Sequence, residues 1–272
     1  MKPFRVEEPA RASETPVVVE VPHAGVYIDP ESLAWMCAPA RAVGRDADLW
    51  VDALFEGAPK LGATLLVSNV SRYVVDLNRT ATDYDGLAVE GGPEGNLPRG
   101  LIWRTTTEGD AILGRRLTAS ELARRIAWLY DPYHRTLEAL LADKRERFGY
   151  AILLCAHSMP STGRRGHVDV GTGRADVVPG SRGRTSAAGS IIDCVERVAK
   201  GAGLSVKHDD PYKGGFSTSH YGRPLSGCHA VQIELARRNY MDEDTLAPLA
   251  APFARVRAFG EALVTALSAT RP

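Results

Sequence analysis

The chain has 272 residues, a length that suits one large α/β domain at least as well as two small ones, so we expect a single domain. Its 33 basic and 33 acidic side chains give a formal net charge of zero, which removes the broad electrostatic reason for binding nucleic acid or an anionic membrane. No apolar run approaches the length of a signal-peptide core or a membrane span. We therefore expect a soluble, cytoplasmic protein in which any recognition of anions is local.

The four cysteines are Cys37, Cys155, Cys194 and Cys228, and they lie far apart in the sequence. No Cys-x-x-Cys pair occurs, so neither a thiolate zinc site nor a redox motif is indicated. We expect reduced and mostly buried thiols.

The first predicted core strand leads directly to a histidine. Residues 1–15 are polar and proline-punctuated and are expected to form an extended arm. Val17–Val21 then forms a short β-branched strand of the buried, parallel type, followed by Pro22 and His23. Ligands of open α/β sheets collect at the carboxyl ends of strands, which is where His23 falls. A lone histidine in this position is otherwise more often a hydrogen-bonded turn residue.

Three aspartates, Asp46, Asp48 and Asp52, cluster around the start of an amphipathic run over Leu49–Phe55. Aspartate is a preferred helix N-cap and suits the positive end of the helix dipole, which is one explanation for them. One helix needs only one cap, however, so a spare carboxylate remains that a metal could use.

The stretch from Val70 to Arg79 follows a predicted strand over residues 63–67 and contains three polar groups suited to a small anion. Arg72 and Arg79 can each grip a carboxylate with a planar fork, and Asn78 adds a directional amide donor. Residues 73–75 favour a further strand. The alternative is an edge strand flanked by two surface arginines.

Residues 80–118 lose all periodicity and fill with Gly, Pro and Asp, so we expect a partly ordered lid loop over the site. A helix is predicted from Ser120, kinked or divided at Pro132. Residues 150–156 form the clearest buried strand, and His157 follows it. Two strands that each end in a histidine favour a shared metal site, because neutral imidazole is a common zinc ligand.

The last third of the chain supplies further candidates. Arg182, in a loop rich in Gly and Arg, is a second-rank substrate contact, and Gly214-Gly215 could bring backbone close to a ligand or act as a hinge. Glu234 ends a predicted strand over 230–234, although a glutamate there is most often solvated. The remaining predicted elements are a helix over 186–199, a strand over 205–207 and a closing helix over 242–267 interrupted near its prolines.

Six motifs, in order over most of the chain, carry a family resemblance. They are Val-Pro-His-Ala-Gly at 21–25, Asp-Ala-Asp-Leu-Trp at 46–50, Ser-Arg-Tyr-Val-Val-Asp-Leu-Asn-Arg at 71–79, Ala-His-Ser-Met-Pro at 156–160, Pro-Tyr-Lys-Gly-Gly at 211–215 and Val-Gln-Ile-Glu-Leu at 231–235. Together they resemble the N-formylglutamate amidohydrolase (N-formylglutamate deformylase) family. Asp-Leu-Asn-Arg at 76–79 also resembles the substrate-binding motif of aspartoacylases and succinylglutamate desuccinylases, which share the zinc-carboxypeptidase fold.

The resemblance implies one α/β domain over residues 1–272, with a mixed, mostly parallel sheet and helices on both faces, zinc-carboxypeptidase-like (phosphorylase/hydrolase-like). It implies one Zn²⁺ ion held by His23 and His157, with Glu234 as general base. The relatives' His-x-x-Glu pattern fails here, because Val26 stands three residues after His23. Asp48, ranked above Asp46, is then expected to supply the carboxylate ligand.

The same resemblance implies hydrolysis of an N-acyl acidic amino acid, with N-formyl-L-glutamate cleaved to formate and L-glutamate. Arg72 is expected to stabilise the oxyanion, and Asn78, Arg79, Arg182 and the Gly214-Gly215 backbone to contact substrate. The expected binding partner is a small-molecule substrate. The protein itself is expected to be a monomer or a small homo-oligomer. Two alternatives stay open: a hydrolase of another N-acyl amino acid, and a non-catalytic relative that binds an acidic metabolite.

A second departure from the family is Cys155, at a position where we expect an aspartate that orients a metal-ligating imidazole. Its absence predicts an unfilled supporting role beside the metal.

Overall fold

The computed structural model describes all 272 residues and has a single six-stranded sheet at its centre. In chain order the strands are β1 (Phe4–Glu7), β2 (Val17–Val21), β3 (Thr64–Ser68), β4 (Ala151–Met159), β5 (Val177–Gly180) and β6 (Cys228–Ala236). Their order across the sheet is β1-β3-β2-β4-β6-β5. The four central strands run parallel, and the edge strands β1 and β5 are antiparallel to their neighbours. The predicted mixed, mostly parallel sheet is thus confirmed.

Helices cover both faces of this sheet, as predicted. They are α1 (Pro30–Leu33), α2 (Ala40–Asp46), α3 (Val51–Leu54), α4 (Ala119–Arg125), α5 (Asp131–Phe148), α6 (Gly189–Gly201), α7 (Phe216–Tyr221) and α8 (Ala250–Ala269). One apolar core lies between the sheet and α3, α6 and α8, and the other lies under α4, α5 and α7. None of these helices combines the length and the apolar character that crossing a membrane requires.

The central strands are mostly apolar because both of their faces are covered by helices. All five residues of β2 and all nine of β4 are buried. Parallel strands sandwiched between helices have this near-continuous apolar composition. Because β2, β3, β4 and β6 are parallel, their carboxyl ends meet at one edge, and the segments that follow them converge there.

The amino-terminal segment, expected as an extended arm, contributes an edge strand to the sheet. Phe4–Glu7 pairs antiparallel with β3, and a short 3-10 helix over Arg11–Ser13 leads into β2. A polar strand is suited to a sheet edge, since only one of its sides pairs with the protein.

The strand expected at Tyr73–Val75 does not form. Residues 71–74 make a turn closed by a hydrogen bond from the Val74 amide to the Ser71 carbonyl (2.9 Å). β3 has already ended at Ser68, so this stretch crosses the carboxyl edge of the sheet instead of extending it. Val74 and Val75 are buried in the apolar core under α4, α5 and α7, which explains why local composition predicted a strand.

Residues 80–117 contain no helix or strand of their own, yet they are packed against the rest of the protein. Leu101, Ile102 and Ile112 are completely buried, and isolated bridges tie the segment together, as between Thr105 and Ala111. The segment expected as a partly ordered lid is therefore an ordered wall beside the carboxyl edge of the sheet.

Several local predictions need adjustment. The interruption expected at Pro132 is a π-helical segment over Ile126–Tyr130 between α4 and α5, where the missing proline N–H leaves a helical carbonyl free. The strand at 205–207 is reduced to one bridge between Val206 and Val177. None of the three clustered aspartates caps α3, whose N-cap is Trp50 with φ of 70°. The closing helix begins at Ala250, after a series of turns.

Candidate metal centre and anion cavity

Two imidazoles and one carboxylate meet at the carboxyl edge of the sheet. His23 follows β2, His157 lies within β4, and Asp48 lies in the connection between α2 and α3. One potential ligand atom from each of the three lies within 4.8 Å of the others, and all three residues are buried. The parallel arrangement of β2 and β4 brings the histidines together, and the backbone amide of Asp48 donates to the His23 carbonyl (2.9 Å).

The geometry of these three side chains fits a divalent cation. Asp48 Oδ2 lies 3.0 Å from His157 Nδ1 and 3.6 Å from His23 Nδ1. The second distance is too long for a hydrogen bond, and His23 Nδ1 is a buried nitrogen without any hydrogen-bond partner. Such an orphaned nitrogen facing a carboxylate costs free energy unless something lies between them. Two imidazoles and one carboxylate form a donor set that zinc uses in catalytic sites.

Asp76 sets the orientation of the His23 ring. Its Oδ1 lies 2.9 Å from His23 Nε2, while Oδ2 accepts from Arg72 Nη2 (2.7 Å) and Trp103 Nε1 (2.9 Å). A carboxylate only accepts, so Nε2 carries the proton and Nδ1 carries the lone pair that faces Asp48. Burial tends to raise the pKa of Asp76, but the charge of Arg72 and the hydrogen bond from His23 outweigh it and hold the pKa well below its usual value.

Most of the contacts of Arg72 hold Asp76 in place beside His23. Its Nε and Nη2 both bind Asp76 Oδ2, and its guanidinium lies 4.3 Å from the centre of the Trp103 ring. Its Nη1 makes no hydrogen bond within the protein, and the side chain lines the cavity described below.

Glu234 lies next to this group of ligand atoms, paired in the β4–β6 register with His157. Its Oε1 accepts from Gln232 Nε2 (2.8 Å), and burial raises the pKa of its carboxyl to about 7, with the Asp48 charge acting in the same direction. Gln232 and Glu234 are two positions apart on β6, so their side chains lie on the same face of the sheet. A carboxyl with a pKa near neutrality is suited to accept and release a proton.

A cavity of about 280 Å³ opens above these residues, and cations dominate its lining. Seven basic side chains contribute: Arg45, Arg72, Arg79, Arg99, Arg164, Lys213 and Arg237. The chain as a whole has a formal net charge of zero, so this positive surface is a local feature. It suits a small anionic ligand.

Asn78, Arg79, Gly214 and Gly215 all line this cavity. The Asn78 carboxamide is fixed, because its Oδ1 accepts from the Ser217 amide (3.0 Å) and its Nδ2 donates to Gln232 Oε1 (3.3 Å). Arg79 is freer: its side chain is 42% exposed, and the nearest carboxylate, that of Asp83, is 3.9 Å away.

Arg182 is not brought to the cavity. It is exposed and is not among the residues that line the cavity, and its Nη1 donates to the Gly214 carbonyl (3.4 Å). Asp46 is also directed away from the histidines, since Tyr73 Oη (2.6 Å) and the Thr107 amide (3.0 Å) both donate to its carboxylate. The structure thus brings Asp48 and not Asp46 together with the two histidines, and it leaves Arg182 outside the cavity.

Asp76 supports the His23 ring from a position other than 155. The carboxylate that contacts His157 is that of Asp48, which belongs to the candidate ligand group itself. The acid near position 155 comes from the neighbouring strand: Glu20, its partner in the β2–β4 register, is completely buried. The sequence could not show this, because the two positions are related only by strand pairing.

Three cavity residues were not predicted from the sequence: Arg237, Gln232 and Arg99. Arg237, just after β6, donates to the carbonyls of Arg45 (2.6 Å) and Ala47 (2.7 Å) and lies 3.3 Å from Asp48 Oδ1. Its position after a core strand was a usable signal. The signal for Gln232 was weaker, since it was only a polar residue inside a predicted strand. The signal for Arg99 was also weak, since it was one arginine in an aperiodic segment.

Comparison with known proteins places this arrangement in a family. The model for N-formylglutamate amidohydrolase matches residues 15–241, most of the chain and all of the residues at the centre of the site. The chain belongs to the N-formylglutamate amidohydrolase family. A protein named N-formylglutamate deformylase from Pseudomonas aeruginosa is 35% identical over 249 residues, covering 90% of this chain and 86% of the relative.

Other members agree with this assignment. An N-formylglutamate deformylase from Pseudomonas putida is 33% identical over 233 residues, covering 84% of this chain and 82% of the relative. The crystal structure of an N-formylglutamate amidohydrolase from Ralstonia eutropha JMP134 is 30% identical, with a TM-score of 0.89 and coverage of 98% of both chains. The fold of this N-formylglutamate amidohydrolase family member is thus shared over its whole length.

Proposed function

We propose that this protein hydrolyses the amide bond of N-formyl-L-glutamate, with one zinc ion held by His23, Asp48 and His157. The observation that carries the proposal is the position of these three side chains beside Glu234, at the base of a cavity lined with cations. Family membership supports the same reaction. When bound, zinc would lower the pKa of a water molecule from ~16 to about 7 and polarise the formyl carbonyl.

Glu234 would carry the proton. Its carboxylate accepts the proton of the attacking water and then delivers it to the amide nitrogen as the glutamate amine departs. Gln232 fixes the carboxyl from one side through Oε1, which leaves Oε2 for the reaction. Arg72, which lines the cavity and whose Nη1 makes no hydrogen bond within the protein, would donate to the oxygen that becomes negative as water adds to the formyl carbon.

Asn78 and Arg79 would hold the α-carboxylate of the substrate. That group and the scissile nitrogen share one carbon atom, so its binding site must adjoin the metal. Asn78 meets this requirement, because its Nδ2 lies 3.4 Å from His157 Nε2. The formyl group is small, so most of the binding energy must come from the amino-acid half.

The proposal is tested by metal analysis and turnover on the same preparation. We expect about one equivalent of zinc and cleavage of N-formyl-L-glutamate, with both abolished by a chelator and restored by zinc. His23→Ala and His157→Ala should each lose metal and activity together while keeping a native circular dichroism spectrum. A matched control is His220→Ala, since His220 is partly exposed and lies outside the cavity.

Substrate range separates the alternatives. N-acetyl- and N-succinyl-glutamate, assayed in parallel, would reveal a hydrolase for another acyl group if either is cleaved faster than the formyl compound. Bound metal without turnover on any of the three would support a non-catalytic protein that binds an acidic metabolite. Full turnover after complete removal of metal would overturn the zinc assignment.

A further inference from the structure

Arg99 has a position in the cavity wall that the proposed chemistry leaves unexplained. It lies in the aperiodic segment over 80–117 and lines the cavity. Its Nη1 donates to the Thr106 carbonyl (3.4 Å), and its Nη2 donates to the carbonyl of Gly166 on a separate loop. Two loops that are distant in the sequence therefore hold one guanidinium at the wall of the cavity.

Gly166 shows how closely this guanidinium is packed. A Cβ atom at position 166 would overlap Arg99 Nη1 and come within 2.9 Å of the Thr107 carbonyl oxygen. The guanidinium thus lies directly against bare backbone. A long, flexible side chain held in this way has already lost most of its rotamer freedom, which reduces the entropy lost when it binds a ligand.

Arg99 differs from the other arginines of the cavity in its lack of a counter-charge. No carboxylate lies within 4 Å of it, and its hydrogen-bond acceptors within the protein are neutral carbonyls. The others each have a carboxylate partner: Arg45 with Glu108 (3.1 Å), Arg72 with Asp76 (2.7 Å), Arg79 with Asp83 (3.9 Å), Arg164 with Asp46 (3.5 Å) and Arg237 with Asp48 (3.3 Å).

The electrostatic surroundings agree with this difference. Burial lowers the pKa of Arg99, and the charges of Arg79 and Arg72 lower it further, with Asp46 opposing them. A half-buried cation without a counter-ion is unfavourable, and its free N–H groups remain available to a carboxylate. An anionic ligand would supply the missing counter-charge and would accept hydrogen bonds from the free N–H groups.

We propose that Arg99 is a specificity-determining residue that binds the side-chain carboxylate of the substrate. The inference rests on the proposed hydrolysis of an N-acyl acidic amino acid. The α-carboxylate must lie near the metal and is assigned to Asn78 and Arg79. Arg99 makes no hydrogen bond or ion pair with His23, Asp48, His157 or Glu234, and so it suits the carboxylate remote from the scissile amide.

The test compares two substrates of nearly identical shape, N-formyl-L-glutamate and N-formyl-L-glutamine, which differ in the charge of the side-chain terminus. In Arg99→Met, kcat/KM for the glutamate compound should fall roughly ten- to a hundredfold, the range expected when a charged hydrogen-bond partner is lost. The value for the glutamine compound should change by less than about threefold. Arg99→Lys should recover part of the preference, because charge is kept while the planar fork is lost.

Arg116→Met is the matched control. Arg116 belongs to the same aperiodic segment and also donates to a backbone carbonyl, that of Gly86 (3.3 Å), but it is exposed and outside the cavity. Its substrate preference should equal that of the parent. An equal loss on both substrates in Arg99→Met would show that Arg99 is only structural and would overturn the proposal.

A binding measurement separates failure of this inference from failure of the proposed function. If the parent protein cleaves no N-formyl compound, the proposed reaction is wrong, and calorimetric titration with glutarate still tests Arg99. Weaker binding of glutarate by Arg99→Met and Arg99→Lys, with unchanged binding by Arg116→Met, would support a carboxylate site. Equal binding by all variants would overturn it.

Discussion

Asp46 and Asp48 are two residues apart, yet their carboxylates have different surroundings. Asp46 accepts hydrogen bonds from Tyr73 and Thr107, whereas Asp48 faces His23 and His157. Asp48→Asn should therefore lose metal, and its apoprotein should also be less stable, because the buried Arg237 guanidinium loses its carboxylate partner. Asp46→Asn should keep the metal but lower the melting temperature, because it weakens a buried hydrogen-bond network by about 1–3 kcal/mol. Metal analysis of both variants distinguishes the two carboxylates, and loss of metal in Asp46→Asn alone would move the ligand to Asp46.

Glu234 is predicted to act on protons rather than to hold the metal. Glu234→Gln keeps the shape of the side chain and removes its ability to accept a proton, so turnover should fall by ~10²–10⁴-fold. Metal content should stay near that of the parent. Glu243→Gln is a suitable control, since Glu243 is outside the cavity and its carboxylate accepts a hydrogen bond from the Ser161 amide (3.0 Å). Near-normal turnover in Glu234→Gln would show that another group takes the proton.

The loop before α7 approaches the site so closely that Gly215 has no room for a side chain. A Cβ atom at Gly215 would overlap the Asn78 carboxamide, and the Gly215 amide also donates to Gln232 Oε1 (3.0 Å). Gly215→Ala should therefore displace Asn78 and lower kcat/KM roughly tenfold or more, because small displacements of positioning groups are costly to catalysis.

The control for this loop is Gly201→Ala, at the end of α6, where an added Cβ meets no atom within 4 Å. It should leave kcat/KM unchanged. Both variants should retain metal, since neither glycine touches His23, Asp48 or His157. A Gly215→Ala protein with parental kinetics would mean that the close approach of this loop is unimportant for substrate binding.

The amino-terminal segment is attached to α5 by a buried ion pair between Glu14 and Lys144. Glu14, just before β2, accepts hydrogen bonds from Lys144 and Arg147. The Lys144 side chain is only 1% exposed and has no other carboxylate partner. Glu14→Gln should lower the free energy of unfolding near pH 7 by about 3 kcal/mol, because it leaves a buried ammonium without its counter-charge.

The pH dependence of this effect has a defined sign. Burial raises the pKa of Glu14, but the hydrogen bonds and charges of Lys144 and Arg147 outweigh it, so the pKa lies below the ordinary value of 4.5. The stabilisation is therefore complete above pH 4.5 and is lost as the pH falls through the lower, folded-state value. Urea unfolding of the parent and Glu14→Gln should show a difference that narrows at acidic pH.

Asp143→Asn provides the comparison for that measurement. Asp143 pairs with the same Arg147 at the surface (3.2 Å), with its side chain 53% exposed, so its loss should cost less than about 1 kcal/mol. A difference between the parent and Glu14→Gln that does not change with pH would contradict an electrostatic origin.

The core strands and the residues at their ends could be identified from local composition. Runs such as Val17–Val21 and 150–156 are apolar over a strand's length, and this local property identifies a buried strand without knowledge of its neighbours. Since parallel strands end at one edge, His23 and His157 could be expected to meet there. The mixed sheet with helices on both faces was implied by the family resemblance that the six motifs carry.

The polar groups that surround those histidines are selected by contacts between distant parts of the chain. Asp76 reaches His23 because the predicted strand at 73–75 is instead a turn across the edge of the sheet. Arg99 enters the cavity because Thr106 and Gly166 hold it there, and neither contact leaves a periodic pattern in the sequence. Apolar periodicity reports burial along one element, whereas the direction of a side chain in an aperiodic loop depends on contacts between segments far apart in the chain. That physical difference is why the strands and the two histidines were predictable, while Arg99, Gln232 and the supporting role of Asp76 were not.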